Sequence, residues 1–244
     1  MNLNLLQNPD GHNMDVMAER LNHIINIIDT NSVKVLLEIG SMDAWESVNM
    51  ARVFTDATIY AFEPVPFNAN RCRANIANHP DVSNRIYLHE IAMNNVTGLM
   101  TFWALDVDEA SRIKSRVNHG IGSKFKLIDP DMWRWEHNKQ KAISVQGYRL
   151  EDWCDEFIVP KVDGIWMDAQ GAELEILEGA GDILNNVQFI ITEAGIKPYY
   201  AGHNMKHDID KYLYEKGFRE YLPAREQAHE YEVNVIYLNT KFMV

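Results

Sequence analysis

A chain of 244 residues with 46% hydrophobic and 24% charged side chains has the length and balance of one large globular domain. Its net charge of −12 argues against nonspecific nucleic-acid binding, which needs a positive surface, and no apolar run nears the roughly 20 residues that span a bilayer. Two cysteines, Cys72 and Cys154, make neither a disulfide framework nor a zinc site; with an N-terminus unlike a signal peptide, they lead to the expectation of a cytoplasmic protein that binds no nucleic acid and no membrane.

In chain order, apolar residues at helical spacing predict a helix over 14–28, with Asn13 as its N-cap, so that 1–32 reads as a helical extension. Val33–Ile39 is an almost continuously apolar run, as in a parallel strand covered on both faces. A helix over 44–54 and a strand over Thr58–Phe62 follow, then a helix over 66–77 with Pro66 in its first turn, then a strand over 85–92. Alternation then breaks. Residues 98–105 read as a strand with no intervening helix, 106–141 as a long polar connection, 142–148 as a strand and 150–157 as a short helix. The stretch 98–158 is therefore expected to be an insertion that shapes an acceptor site, within a single domain of 1–244. A strand over 162–168, a helix over 172–184, a strand over 187–193 and a helix ending at Gly217 resume the alternation, and strands over 218–222 and 232–238 close it as a hairpin.

Ligands of open α/β sheets bind outside the carboxyl ends of the strands. Here those ends carry Glu38 with Gly40, Glu63, Glu90, Asp168 and Glu193. An acid at the tip of the second strand, roughly 20 residues beyond a glycine turn, suits the two hydroxyls of a ribose. The intervening loop, Gly40-Ser41-Met42-Asp43-Ala44, holds one glycine and an acid. It lacks the glycine-rich cradle of a dinucleotide, and Asp43 would repel a pyrophosphate. S-adenosylmethionine, with a ribose, a sulfonium and an ammonium, fits better, Glu38 and Asp43 attracting its positive end.

The stretch 162–180 has an apolar strand, Asp168, two residues, Gly171-x-Glu173, then Leu177-x-Gly179-Ala180. It resembles the signature of the FkbM-type methyltransferases. Leu150-Glu151-Asp152-Trp153, Phe62-Glu63-Pro64 and Glu90-Ile91-Ala92-Met93 fit the same resemblance, which covers residues 33–220. It implies a Rossmann-like class I methyltransferase fold: a mostly parallel central sheet with helices on both faces and a C-terminal antiparallel hairpin. It further implies S-adenosylmethionine-dependent O-methylation of a hydroxyl on a sugar, glycan or small natural product. The expected cofactor residues are Glu38, Gly40, Ser41, Met42, Asp43, Glu63, Pro64, Glu90, Ile91, Ala92 and Asp168. The chain departs from the family's first loop, Asp-Val-Gly-Ala-Asn-x-Gly, by placing Ala44 at the second glycine, and Gln170 stands where Glu is common.

An alcohol needs its proton removed to become a good nucleophile. Asp168 is the expected base, with His119 and His203 as alternatives. A second route is a Mg²⁺ or Mn²⁺ ion held by Asp168 and Glu193, which would lower the hydroxyl pKa. Tyr199, Tyr200, Trp133 and Trp135 are candidates to stack on a sugar, and Arg112, Lys114, Arg116, Lys124 and Lys126 form the one basic cluster. Two other functions remain compatible with the sequence: a nicotinamide oxidoreductase and a non-catalytic methyltransferase-like subunit.

Overall fold

The structure, a computed structural model, describes residues 14–108, 119–129, 139–222 and 231–243, with no description of the side chains of 14–16 and 222. Asn13, Arg112, Lys114, Arg116, Trp133 and Trp135 lie outside the described residues.

Seven strands form the main sheet: β1 (Val35–Ile39), β2 (Thr58–Phe62), β3 (Ile86–His89), β7 (Gly164–Met167), β8 (Phe189–Gly195), β9 (Phe218–Leu222) and β10 (Glu232–Asn239). Their order is β3-β2-β1-β7-β8-β10-β9. Pairings from β3 through β8 are parallel, and β10 runs antiparallel between β8 and β9. The chain leaves β1 toward β2 on one side, while β7 returns on the other. That reversal opens a crevice between β1 and β7, where α/β sheets bind ligands.

Side chains alternate across β1, so each face builds its own core. Leu36 packs with Leu21, Ile24, Val48 and Ala51 of α1 (Met14–Ile25) and α2 (Trp45–Val53). Leu37 and Ile39 pack on the other face with Trp153, Ile176 and Leu213 of α4 (Leu150–Glu156), α5 (Glu173–Ala180) and α6 (Lys206–Glu215). At the opposite end of the sheet from the crevice, buried Asp163 accepts the backbone N–H groups of Lys34 at 2.8 Å and Val35 at 3.0 Å. It thereby locks the entry of β1 to that of β7.

The helix expected over 172–184 is α5 followed by a 3-10 turn over Gly181–Asn185, because Gly181 takes φ 46° and breaks the α-helical run. The strand expected over 85–92 is split. β3 ends at His89, and β4 (Ala92–Met93) belongs to a second sheet, ordered β4-β6-β5, with β5 (Gly98–Leu105) and β6 (Gln140–Tyr148). α3 (Pro66–Ala77) keeps the span expected for it, Pro66 starting the helix where no intrahelical N–H is needed.

Candidate active site

A cavity of about 310 Å³ opens at the carboxyl ends of β1, β2, β7 and β8. Its floor depends on Gly40. A Cβ there would fall 1.9 Å from the carbonyl oxygen of Asp168, and Gly40 has φ +86°. The exits of β1 and β7 can approach only because this residue has no side chain. Gly40→Ala is expected to push the two exits apart and destroy cofactor binding, with a fall in thermal stability; unchanged affinity and melting temperature would contradict this packing. Met42 and Ala44, at φ 48° and 58°, are also left-handed, so the loop keeps its shape without the family's second glycine.

Glu38 shares a face with Leu36 and is 1% exposed. Its Oε2 accepts the Ser47 backbone N–H at 2.9 Å and the Ser47 hydroxyl, while Oε1 has no partner. Burial, then repulsion from Glu46 and Asp43, raises its pKa well above the usual carboxylate range. Glu63 is 5% exposed. It accepts Met42 N–H on Oε2 and Val65 N–H on Oε1, both at 2.8 Å. Burial pushes its pKa up to about 7 against those donors. Each carboxylate oxygen accepts two hydrogen bonds, so Glu63 retains capacity facing the cavity.

Ser41, Pro64, Ile91 and Ala92 also line the cavity, with Asp168 and Glu193 on its β7–β8 side. Two expected cofactor residues are not among the lining. Asp43 turns toward α2 and α3: its carboxylate accepts Trp45 N–H at 3.2 Å and pairs with Arg71 at 3.4 Å. Glu90 is exposed beyond β3 and pairs with Arg73.

Of the three candidate bases, only Asp168 faces the cavity. The His119 ring stacks on Phe67 at 5.1 Å, leaving Gly120, Ile121 and Gly122 to form the wall. His203 packs behind the Asp168 loop, 2.8 Å from where a Gly171 Cβ would sit, and burial lowers its pKa. Tyr199 and Tyr200 are 2% and 1% exposed. They form a core with Leu105, Ile121 and Leu127, which removes their rings from any sugar face. Within the basic cluster, Lys124 reaches the cavity, held by Asn94 at 3.0 Å and Glu175 at 3.4 Å.

Asp168 and Glu193 share one donor. The Gln170 side-chain amide N–H group donates to Asp168 at 2.7 Å and reaches Glu193 at 3.4 Å. The Tyr200 hydroxyl sits 3.0 Å from the other end of that amide. Among the described residues no group of three or more His, Cys, Asp or Glu could hold a metal ion. An amide donor between the two carboxylates does not fit a cation.

Sequence reading missed Glu46 and Glu232, which both line the cavity. Glu46 sits in the first turn of α2, where an acid reads as an ordinary dipole partner. Glu232 opens β10, far along the chain. Burial, then Asp43 for Glu46 and Asp168 for Glu232, pushes each up to about 7. Glu173, of the Gly-x-Glu pattern, accepts Ala169 N–H at 3.0 Å and Gly171 N–H at 3.2 Å. It holds the Asp168 loop in shape rather than facing a ligand.

Three cavity acids, Glu46, Glu63 and Glu232, titrate near 7 when folded, against about 4.3 when unfolded. Between those values the folded protein binds more protons, so its stability falls as pH rises. The ligand-free melting temperature is expected to drop by roughly 15 °C or more from pH 5 to pH 8. A flat or rising profile would contradict the buried-acid reading.

Residues 35–220 match the family described as Methyltransferase FkbM domain. The chain is 30% identical over 175 residues to a 2-O-methyltransferase, NoeI, of Sinorhizobium fredii (strain NBRC 101917 / NGR234), spanning 69% of this chain and 66% of that relative, just under two thirds of its length. Its fold resembles an FkbM methyltransferase from Methylobacillus flagellatus KT, with TM-score 0.54 and 11% identity over 96% of this chain and 56% of that one. It also resembles magnesium protoporphyrin IX methyltransferase from Synechocystis PCC 6803, whose structure contains S-adenosylmethionine. There the TM-score is 0.52 at 10% identity, over 93% of this chain and 79% of the other. With its crevice loop, its strand-tip acids and the match to 35–220, the chain belongs to the FkbM methyltransferase family.

Proposed function

We propose that this protein transfers the methyl group of S-adenosylmethionine to a hydroxyl oxygen of a sugar, glycan or small natural product. The observation that carries the reading is that one cavity holds Glu63, Glu38 and Asp168 around the Gly40 turn. Glu63 suits the ribose hydroxyls, and Glu38, on the same cavity wall, suits the cationic methionine end. The sulfonium supplies an activated methyl group. The protein's task is then to align the acceptor oxygen with it and to take the hydroxyl proton. Alignment is worth roughly 7–11 kcal/mol and a positioned base about 10²–10⁴-fold. The oxygen–methyl bond forms as the sulfur–methyl bond breaks, and the proton passes to Asp168. Gln170 holds that carboxylate in place through one oxygen. The resemblance to a 2-O-methyltransferase supports oxygen as the acceptor atom.

The test has two parts. S-adenosylmethionine and NAD are compared for thermal stabilisation, and S-adenosylhomocysteine release is followed with a panel of hydroxylated sugars and phenols. Stabilisation by S-adenosylmethionine with release on at least one acceptor is expected; stabilisation by NAD instead would overturn the reading.

A further inference from the structure

The Asp168 loop and the cavity wall meet at one side chain. Gln170 takes φ 52°, a left-handed conformation that a residue other than glycine keeps only where its surroundings impose it. Here they do. The Ser123 hydroxyl donates to the Gln170 carbonyl oxygen at 2.7 Å. Ser123 is itself fixed to Trp103 of β5 by two backbone hydrogen bonds, of 2.7 and 3.0 Å. The Gln170 side chain lines the cavity, its amide nitrogen toward Asp168 and Glu193 and its amide oxygen toward Tyr200.

The neighbours decide which way that amide faces. An ionised carboxylate only accepts, so Asp168 calls for the N–H end; with the amide turned over, an oxygen would face an oxygen at 2.7 Å. At the other end the Tyr200 hydroxyl supplies the matching donor, 3.0 Å from the amide oxygen. The same hydroxyl lies 3.1 Å from the carbonyl oxygen of Ile121 in the cavity wall, and that carbonyl already accepts from Gln140 at 3.0 Å. With Ile121 so served, the one hydroxyl proton falls to Gln170. Burial, then the charge of Asp168, raises the Tyr200 pKa well above its usual value, so the hydroxyl stays a donor. Its mounting is rigid. Tyr200 forms a β-bridge with Leu127, flanked by Ile128 N–H on the Tyr199 carbonyl at 3.0 Å and Ala201 N–H on the Lys126 carbonyl at 2.8 Å. Tyr200 is not part of the cavity lining, so it acts on the cavity only through Gln170 and Ile121.

We propose that Tyr200 is a positioning residue of the methyl transfer: its hydroxyl fixes the Gln170 amide with the N–H end on Asp168 and ties the Asp168 loop to the Ile121 wall. This role rests on the methyltransferase reading and adds to it a residue outside the cavity. The charged groups around Asp168 are Arg20 of α1, Glu46 of α2, Glu173 of α5, Glu193 of β8 and Glu232 of β10. All but Arg20 are acids, which disfavour a charged Asp168 when they ionise. The Gln170 N–H favours that charge, and Tyr200 keeps it aimed there.

The test is Tyr200→Phe, which removes the hydroxyl and keeps the ring in its core with Leu105, Ile121 and Leu127. Ile121 retains Gln140 as a donor, so the variant should fold. By NMR of protein labelled at its glutamine side-chain nitrogens, the Gln170 amide signals are identified by their loss in Gln170→Met. In Tyr200→Phe these protons should exchange with solvent about ten-fold faster or more. The buried Gln188 amide, beside Asp163 at the far end of the sheet, should not change. On the acceptor that the parent methylates, kcat should fall about ten-fold or more with KM within about two-fold, and adding Tyr200→Phe to Gln170→Met should cost nothing further. S-adenosylhomocysteine should bind all variants as it binds the parent. Unchanged exchange at Gln170, equal acceleration at Gln188, a parental kcat, or full additivity of the two substitutions would overturn the positioning role while leaving the methyltransferase reading in place. Failure of S-adenosylhomocysteine to bind the parent would overturn both.

Discussion

Glu63→Ala is expected to weaken S-adenosylmethionine binding by about 10²–10⁴-fold. Two charge-assisted hydrogen bonds to the ribose are lost, each worth roughly 1.5–3 kcal/mol. The loss also reaches the loop, because Met42 N–H and Val65 N–H, each 2.8 Å from a Glu63 oxygen, lose their acceptor. Glu63→Gln separates the two effects. It retains one oxygen acceptor and removes a buried charge whose pKa burial raises to about 7. Because its amide NH2 then meets one of the two backbone N–H groups, its ligand-free melting temperature should fall less than that of Glu63→Ala, while its affinity falls by roughly 10–100-fold. Calorimetry showing parental affinity in both variants would remove Glu63 from the cofactor site.

Asp168→Asn is expected to lower turnover by about 10²–10⁴-fold, the usual contribution of a general base. Cofactor affinity should stay within a few-fold of the parent. The amide oxygen of Asn can still accept from Gln170, now 2.7 Å from the carboxylate, so the loop keeps its shape. Asp168 also repels the buried Glu193, Glu173 and Glu232; the neutral variant should therefore melt no lower than the parent at pH 8. A folded, cofactor-binding, inactive enzyme is the signature of a lost base. Near-parental rates on the acceptor that the parent methylates would assign the proton to another group.

The sheet was legible because its strands announce themselves locally. Apolar runs bounded by glycine and acid mark β1, β2 and β7, and each carries its strand-tip carboxylate by simple adjacency. Asp168 and Glu63 could be placed in the cavity on that ground alone, since the carboxyl ends of parallel strands share one edge. The misplacements have a common physical cause. Adjacency to a strand end says where a backbone goes, not where a side chain points. Asp43 lies within the loop but turns to Arg71, and Glu90 follows β3 but turns to Arg73. His119 is next to a cavity-lining glycine, yet its ring stacks on Phe67.

By itself, then, the sequence determined the parallel α/β sheet, the crevice loop at Gly40, the strand-tip acids and membership of a methyltransferase family. These rest on periodicity and on residues close together in the chain. The tertiary structure decided what the cavity is made of. It brought Glu232, from the end of the chain, beside Glu193, and Arg20, from the first helix, over Trp166. It also set a Gln170 amide between two carboxylates that the sequence could pair only as metal ligands. Such meetings depend on which strands become neighbours, and antiparallel β10, inserted between β8 and β9, is the strand whose position no local pattern states.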